Sequence, residues 1–296
     1  MIDYFLYLFN QQNTESQLNL SVLKSLADFD EERKFKSNSA IAIFSMTTDD
    51  VQALKSALYE QSLIQGFDYC LLQKAKQFGP FKLAVFDMDS TLIPIEVIDQ
   101  LAVEAGVGQE VAKITEAAMR GELDFNQSLE CRVKQLKGLP MDSIRVVKEQ
   151  LVFNKGVEVF CRYIVQQGGE IAIASGGFMP FAEELATRLP FTRVRANTLL
   201  DDGECLTGEV SHPIVNAQVK AASLKEWAAD TGITEQQCIA VGDGANDLKM
   251  LQQAGIGVAF KAKPTLGQSA DCVLNVGYLD SLVELLPLIE KQHTNS

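Results

Sequence analysis

Histidine is almost absent from this chain; His212 and His293 are the only two. That scarcity argues against an imidazole-built metal site or a Ser-His catalytic pair. Hydrolytic chemistry, if present, falls to carboxylates. The six cysteines (Cys70, Cys131, Cys161, Cys205, Cys238 and Cys272) are scattered with no C-x-x-C pair. Neither zinc spacing nor a disulfide framework is indicated, and they read as reduced core thiols. Basic clusters are missing too, and 39 acids against 26 Lys and Arg leave a net charge of −13. Such a field repels nucleic-acid phosphates and anionic membranes, so any phosphate-bearing ligand must be held by a local pocket. Long apolar runs are also lacking. The opening "MIDYFLYLFNQQ" carries an acid at Asp3, has no basic segment, and is too short for a signal peptide or membrane span. A cytoplasmic location is the expectation.

What is present is apolar and periodic. With 296 residues, 47% of them hydrophobic, the chain can bury a substantial core and accommodate a large domain plus a smaller one. Residues 1–78 alternate short apolar runs ("YFLYLF", "SAIAIFSM", "FDYCLLQK") with helix-like segments ("LNLSVLKSLADF", "DDVQALKSALYEQSLI"). The order β-α-β-α-β, with room for one more strand, predicts a small α+β domain, and "FGP" at 78–80 marks its boundary.

From residue 79 the pattern changes to apolar strands that each lead into a loop and a helix: "KLAVFDMD", "EIAIASGG", "CIAVGDG", "GIGVAF" and "CVLNV". Near-continuous Val, Ile and Ala runs predict strands buried on both faces, hence a parallel, Rossmann-like sheet in an α/β domain. Ligands of such sheets collect beyond the carboxyl ends of the strands, where "DMDST", "SGGF" and "GDGAND" fall. Between the first two strands lie about 75 mostly helical residues, where a crossover needs only about a dozen. The excess predicts a helical cap, about 95–155, inserted over the site. "RVRANTLLDDGECLTGEV" reads as a strand and hairpin before a helix containing "NAQVKAASLKEWAAD".

The carboxylates carry the chemistry. Asp87 and Asp89 end the first strand of the α/β region, and Asp243 ends a later one that the sheet would bring to the same edge. Converging acids repel unless a hard cation lies between them, and oxygen-only ligation favours Mg²⁺. Ser90 and Thr91 offer hydroxyls and amides to an anion. Asn246 and Asp247 would share a helix face beyond Asp243. Ser175 and Gly176 let the backbone approach a ligand with a helix N-terminus behind, and Lys220 offers a positive charge.

Taken together, D-x-D-S-T at one strand end, Ser-Gly at the next, then a lysine and G-D-x-x-N-D, resemble the haloacid-dehalogenase-like phosphatase superfamily over about residues 82–290. The run "DMDSTLIPIE", the cap helix "FNQSLECRV" and "VGDGANDLKML" resemble its phosphoserine-hydrolysing branch. The resemblance implies an Mg²⁺-dependent phosphomonoesterase acting on O-phospho-L-serine, the last step of serine biosynthesis. Asp87 would be the nucleophile, forming an aspartyl-phosphate, and Asp89 the general acid and base. Asp87, Asp89 and Asp243 would hold the metal; Ser175, Gly176, Lys220 and Asn246 would bind substrate, with Asp247 in support. Glu96 would meet the substrate ammonium and Arg132 its carboxylate, while Met119 and Phe125 would form an apolar lid. Another small phosphate ester as substrate stays open. For residues 1–78, a packing or homodimer-forming module and an amino-acid effector site both remain readings.

Overall fold

A computed structural model describes residues 1–9, 21–36 and 40–294. The N-terminal region folds as β1 (Ile2–Phe9), α1 (Ser21–Lys24), β2 (Asp28–Lys36), β3 (Ala40–Thr48), α2 (Val51–Gln65) and β4 (Asp68–Gln73). Helix α2 starts where Asp50 accepts the Ala53 amide and stops at Gly66, whose φ of 70° is left-handed. The helix expected over 18–29 is cut short. Residues 18–20 lie outside the described residues, the helix covers Ser21–Lys24, and strand pairing has begun by Asp28. The additional strand is β2, and β1 lies between β3 and β4 with both pairings antiparallel.

After an irregular connection, the α/β region begins with β5 (Leu83–Phe86). The cap follows as α3 (Val97–Glu104), α4 (Gly108–Met119), α5 (Phe125–Gln135) and α6 (Asp142–Glu149), all inserted before α7 (Val157–Gln166) and β6 (Glu170–Phe178). Then come α8 (Met179–Arg188), β7 (Phe191–Asn197), the hairpin β8 (Leu199–Asp201) and β9 (Leu206–Val210), and α9 (Ala217–Thr231). The chain closes with β10 (Cys238–Gly242), α10 (Leu248–Gln253), β11 (Ile256–Phe260), α11 (Pro264–Gly267), β12 (Cys272–Leu274) and α12 (Ser281–Thr294). Strands β12, β11, β10, β5, β6 and β7 lie side by side and parallel in that order. Every residue of β5, β10, β11 and β12 is buried, as the unbroken apolar runs require. The chain leaves β5 toward β6 on one side and returns to β10 on the other, so the carboxyl end of β5 is the point where strand order reverses.

The sheet does not stop at the N-terminal region. β4 pairs antiparallel with β12 through Cys70 with Cys272 and Tyr69 with Val273, making one sheet of ten strands. Tyr59, Tyr69 and Leu71 share one apolar core with Leu266 and Val273. The buried Asp68 carboxylate accepts the amides of Asn275, Val276 and Gly277. On the cap, Asp124 and Gln127 close a capping box at the start of α5. The β8–β9 hairpin grips the following cap loop through Gly138 N to Leu206 O and Met141 N to Glu204 O, both near 2.9 Å.

Candidate active site

Strand β5 is latched at its end to β10, where the Asp87 amide donates to Val241 O at 2.9 Å. Asp87 then leads a single wide turn closed from Ile93 N to Met88 O, and its own carboxylate accepts the Met88 amide at 2.7 Å. Ser90 lies inside that turn at φ 56°, a left-handed conformation unusual outside glycine. Two bonds hold it there: its amide donates to Ile95 O, and its hydroxyl donates to Glu96 Oε1 at 2.8 Å. The turn brings Asp89 back to the strand end, where it accepts the Val97 amide.

Beneath these acids lies Lys220, which has no exposed surface. Its ammonium is 2.8 Å from Asp87 Oδ1 and 2.7 Å from Asp247 Oδ1. Burial opposes the charge on Lys220, but the two carboxylates outweigh it and raise the pKa. Asp247 Oδ2 accepts the amides of Asp243 and Gly244. Gly242 is what lets Asp247 come so near, since a Cβ there would lie 2.4 Å from the Asp247 carboxylate carbon. Oxygens of Asp87, Asp243 and Asp247 lie within 4.8 Å of one another. Asp247 has both oxygens engaged, whereas the Asp243 carboxylate and Asp87 Oδ2 have no protein partner among the described residues. Burial, then the neighbouring Asp87 and Asp247 charges, lift Asp243 to about 7. Burial, then Glu96 and Asp87, raise Asp89 well above the carboxylate range. A set of unpaired, mutually repelling oxygen donors fits a hard divalent cation.

The opposite wall comes from the end of β6, whose register with β7 shifts between Ala174 and Phe178. Ser175 Oγ accepts the Gly177 amide at 2.9 Å. Asn197 donates to Gly176 O and accepts from Val215 N, both at 2.8 Å, fixing this backbone to the loop before α9. Both glycines are packed tightly. A Cβ on Gly176 would lie 2.7 Å from Phe125 Cζ of the cap, and one on Gly177 would lie 2.7 Å from Asp89 Oδ2.

Between sheet and cap lies a cavity of about 990 Å³. Of the residues picked out in the sequence, Asp87, Asp89, Ser90, Glu96, Arg132, Gly176, Asp243, Asn246, Met119 and Phe125 line it. Ser175, Lys220 and Asp247 are fully buried beneath it and reach the cavity only through their partners. Arg132 Nε donates to Ser128 O at 3.3 Å, and its other guanidinium nitrogens have no protein partner among the described residues. Burial lowers the Arg132 pKa, while Glu96, Asp99 and Asp89 work in the opposite direction. Met119 lines the cavity at its mouth and is 70% exposed, whereas Phe125, half-buried against Gly176, is the closer half of the expected lid. Ser90 faces Glu96, while Thr91 is fully buried off the cavity wall. Gly177 and Lys263 also line the cavity. The second glycine of "SGGF" was a visible signal for one, and a lysine just past a strand end, in "FKAKP", for the other.

A profile of the haloacid dehalogenase-like hydrolase family matches residues 84–252. The chain is 43% identical over 240 residues to a probable phosphoserine phosphatase of Schizosaccharomyces pombe, covering 80% of each. It is 46% identical over 209 residues to a phosphoserine phosphatase of Streptococcus thermophilus, covering 71% of this chain and 97% of that one. The unliganded crystal structure of a probable phosphoserine phosphatase from Vibrio cholerae superposes with a TM-score of 0.74 at 31% identity, covering 99% of this chain and 89% of that one.

Proposed function

The chain belongs to the haloacid dehalogenase-like hydrolase family, and within it we propose that it hydrolyses O-phospho-L-serine to L-serine and phosphate, the last step of serine biosynthesis. One arrangement carries this reading. Asp87, oriented by Lys220 on the sheet side, faces across one cavity Glu96 and Arg132, an acid and a base suited to an amino acid's ammonium and carboxylate.

In this reading an Asp87 oxygen attacks phosphorus, forming a carboxylate O–P bond as the P–O bond to the serine oxygen breaks. Asp89, which its buried and acidic surroundings favour in the protonated form, gives its proton to the departing serine oxygen. Water then attacks the aspartyl-phosphate, Asp89 takes the water's proton, and Asp87 is released with phosphate. Ser175, by accepting the Gly177 amide, shapes the strand end at which Gly176 presents its backbone to the phosphoryl oxygens. Asn246 borders the same space. The acidic cluster befits the metal dependence general to these phosphatases. We assign the ion as Mg²⁺, held by the Asp87 and Asp243 side chains with the Asp89 backbone carbonyl, where it would neutralise phosphoryl charge. A cytoplasmic location accords with the reduced-thiol reading, and no described helix is long and apolar enough to cross a membrane. For the N-terminal region, packing, pairing with a second copy and effector binding remain distinct readings.

The test is phosphate release from L-phosphoserine by the wild type and Asp87→Asn, each with and without Mg²⁺. Asp87→Asn should lose activity by roughly 10³-fold or more, as removal of a covalent nucleophile does, and the wild type should need the metal. Full activity in Asp87→Asn would overturn the nucleophile assignment.

A further inference from the structure

Besides the Mg²⁺ assigned above, the cavity has few cationic side chains for the substrate it is proposed to take. Six acids line it, Asp87, Asp89, Glu96, Asp99, Asp124 and Asp243, against two cations, Arg132 and Lys263. Lys220 is buried below the floor and already spans two carboxylates. Arg132 sits on α5 of the cap and is assigned to the substrate carboxylate. Lys263, on the sheet side beside Asp243, is the lining side-chain cation nearest the proposed phosphoryl position.

Its surroundings fix its backbone and leave its side chain free. The chain turns after β11 at Lys261, whose φ is 47°. Lys261 Nζ donates to the carbonyls of Asn275 and Val276 at 2.7 and 3.0 Å, and the amides of those two residues are held by Asp68. Tyr59 of the N-terminal region donates to Ala262 O at 3.3 Å. Lys263 N then donates to Asp243 O at 2.9 Å, tying this loop to the loop of the central acids. The Lys263 ammonium has no partner among the described residues. Lys263 is exposed at the cavity edge, and these ties hold its backbone in place there.

Resting on the phosphatase reading above, we infer that Lys263 is a substrate-binding residue that takes a phosphoryl oxygen of the incoming monoester and of the product phosphate. Its positive charge adds to that of the assigned ion in drawing a dianion into a cavity lined mostly by acids.

The experiment uses the full chain carrying Lys263→Ala, Lys263→Arg or Lys263→Glu, assayed with L-phosphoserine and with p-nitrophenyl phosphate, and inhibited competitively by inorganic phosphate. Lys263→Ala should raise KM for phosphoserine and Ki for phosphate together by about tenfold, the scale of one charge-assisted hydrogen bond, with the smaller part of the loss in kcat. Lys263→Arg should recover most of the binding and Lys263→Glu should weaken it further. KM and Ki within twofold of wild type in both the Ala and Glu variants would overturn the inference. So would a loss confined to kcat, which would instead make Lys263 a prop for Asp243. Should the wild type cleave p-nitrophenyl phosphate but not phosphoserine, the substrate reading fails while the phosphate Ki still decides the role of Lys263.

Discussion

Gly177 shows how little room the site leaves at the scale of one residue. Its missing side chain makes space for Asp89 Oδ2 and for Met88 Cε, each 2.7 Å from where a Cβ would stand. The Gly177→Ala variant should therefore displace Asp89 more than it disturbs the fold. A drop in kcat for phosphoserine of about 10- to 100-fold is expected, part of the roughly 10²- to 10⁴-fold that a positioned acid and base contributes. The thermal midpoint should move by only a few degrees, and a kcat near wild type would show that Asp89 tolerates the shift. The acids themselves were legible, because D-x-D at a strand end and a later G-D have a spacing with chemical meaning. Ser90 was legible only as a hydroxyl and an amide offered to an anion. Its left-handed φ and its bond to Glu96 depend on how the turn closes, which no pattern of residue types encodes.

Among elements, the decisive junction is where β6 meets β7 and the loop before α9. Asn197 is buried and spends its amide on Gly176 O and Val215 N. Replacing it with alanine leaves a donor and an acceptor unpaired, so Asn197→Ala should destabilise the protein by about 1–3 kcal/mol in denaturant unfolding and raise KM through Gly176. An unfolding midpoint equal to wild type would mean that water replaces both bonds. The strands after residue 79 and the cap helices were foreseeable from apolar runs and helical spacing. The helix expected over 18–29 was not well bounded, since its apolar spacing is compatible with either state and pairing of β2 with β3 claims Asp28 onward.

Across the whole molecule, His293 joins the two ends of the chain. It is 2% exposed, its ring contacts Phe5 of β1 and Phe78 of the connection, and Nδ1 lies 2.7 Å from Lys76 O. Burial, assisted by the Lys76 charge, lowers its pKa below the ordinary 6.5, and the Lys76 carbonyl only partly offsets this. The unfolded chain therefore takes up a proton at this histidine at a higher pH than the folded chain does. Its contribution is fully present above pH 6.5 and is lost as pH falls from there toward the lowered folded value. Unfolding free energies measured from pH 7.5 to 5.5 should fall more steeply in the wild type than in His293→Gln. Parallel curves would show that His293 does not couple folding to protons.

The sequence by itself determined the chemistry and the class of fold. Residue types at strand ends, apolar runs and helical spacing are local properties, and they specified Asp87, Asp89, Asp243 and a capped parallel sheet. Only the tertiary structure decided which groups meet. It put Lys220 under the acids, Met119 at an open rim, Lys263 on the cavity wall and β4 on the edge of β12. Those outcomes turn on burial, close approach and the satisfaction of backbone groups between segments far apart in the chain. Such contacts are energies of the folded arrangement, and no short stretch of sequence contains both of their partners.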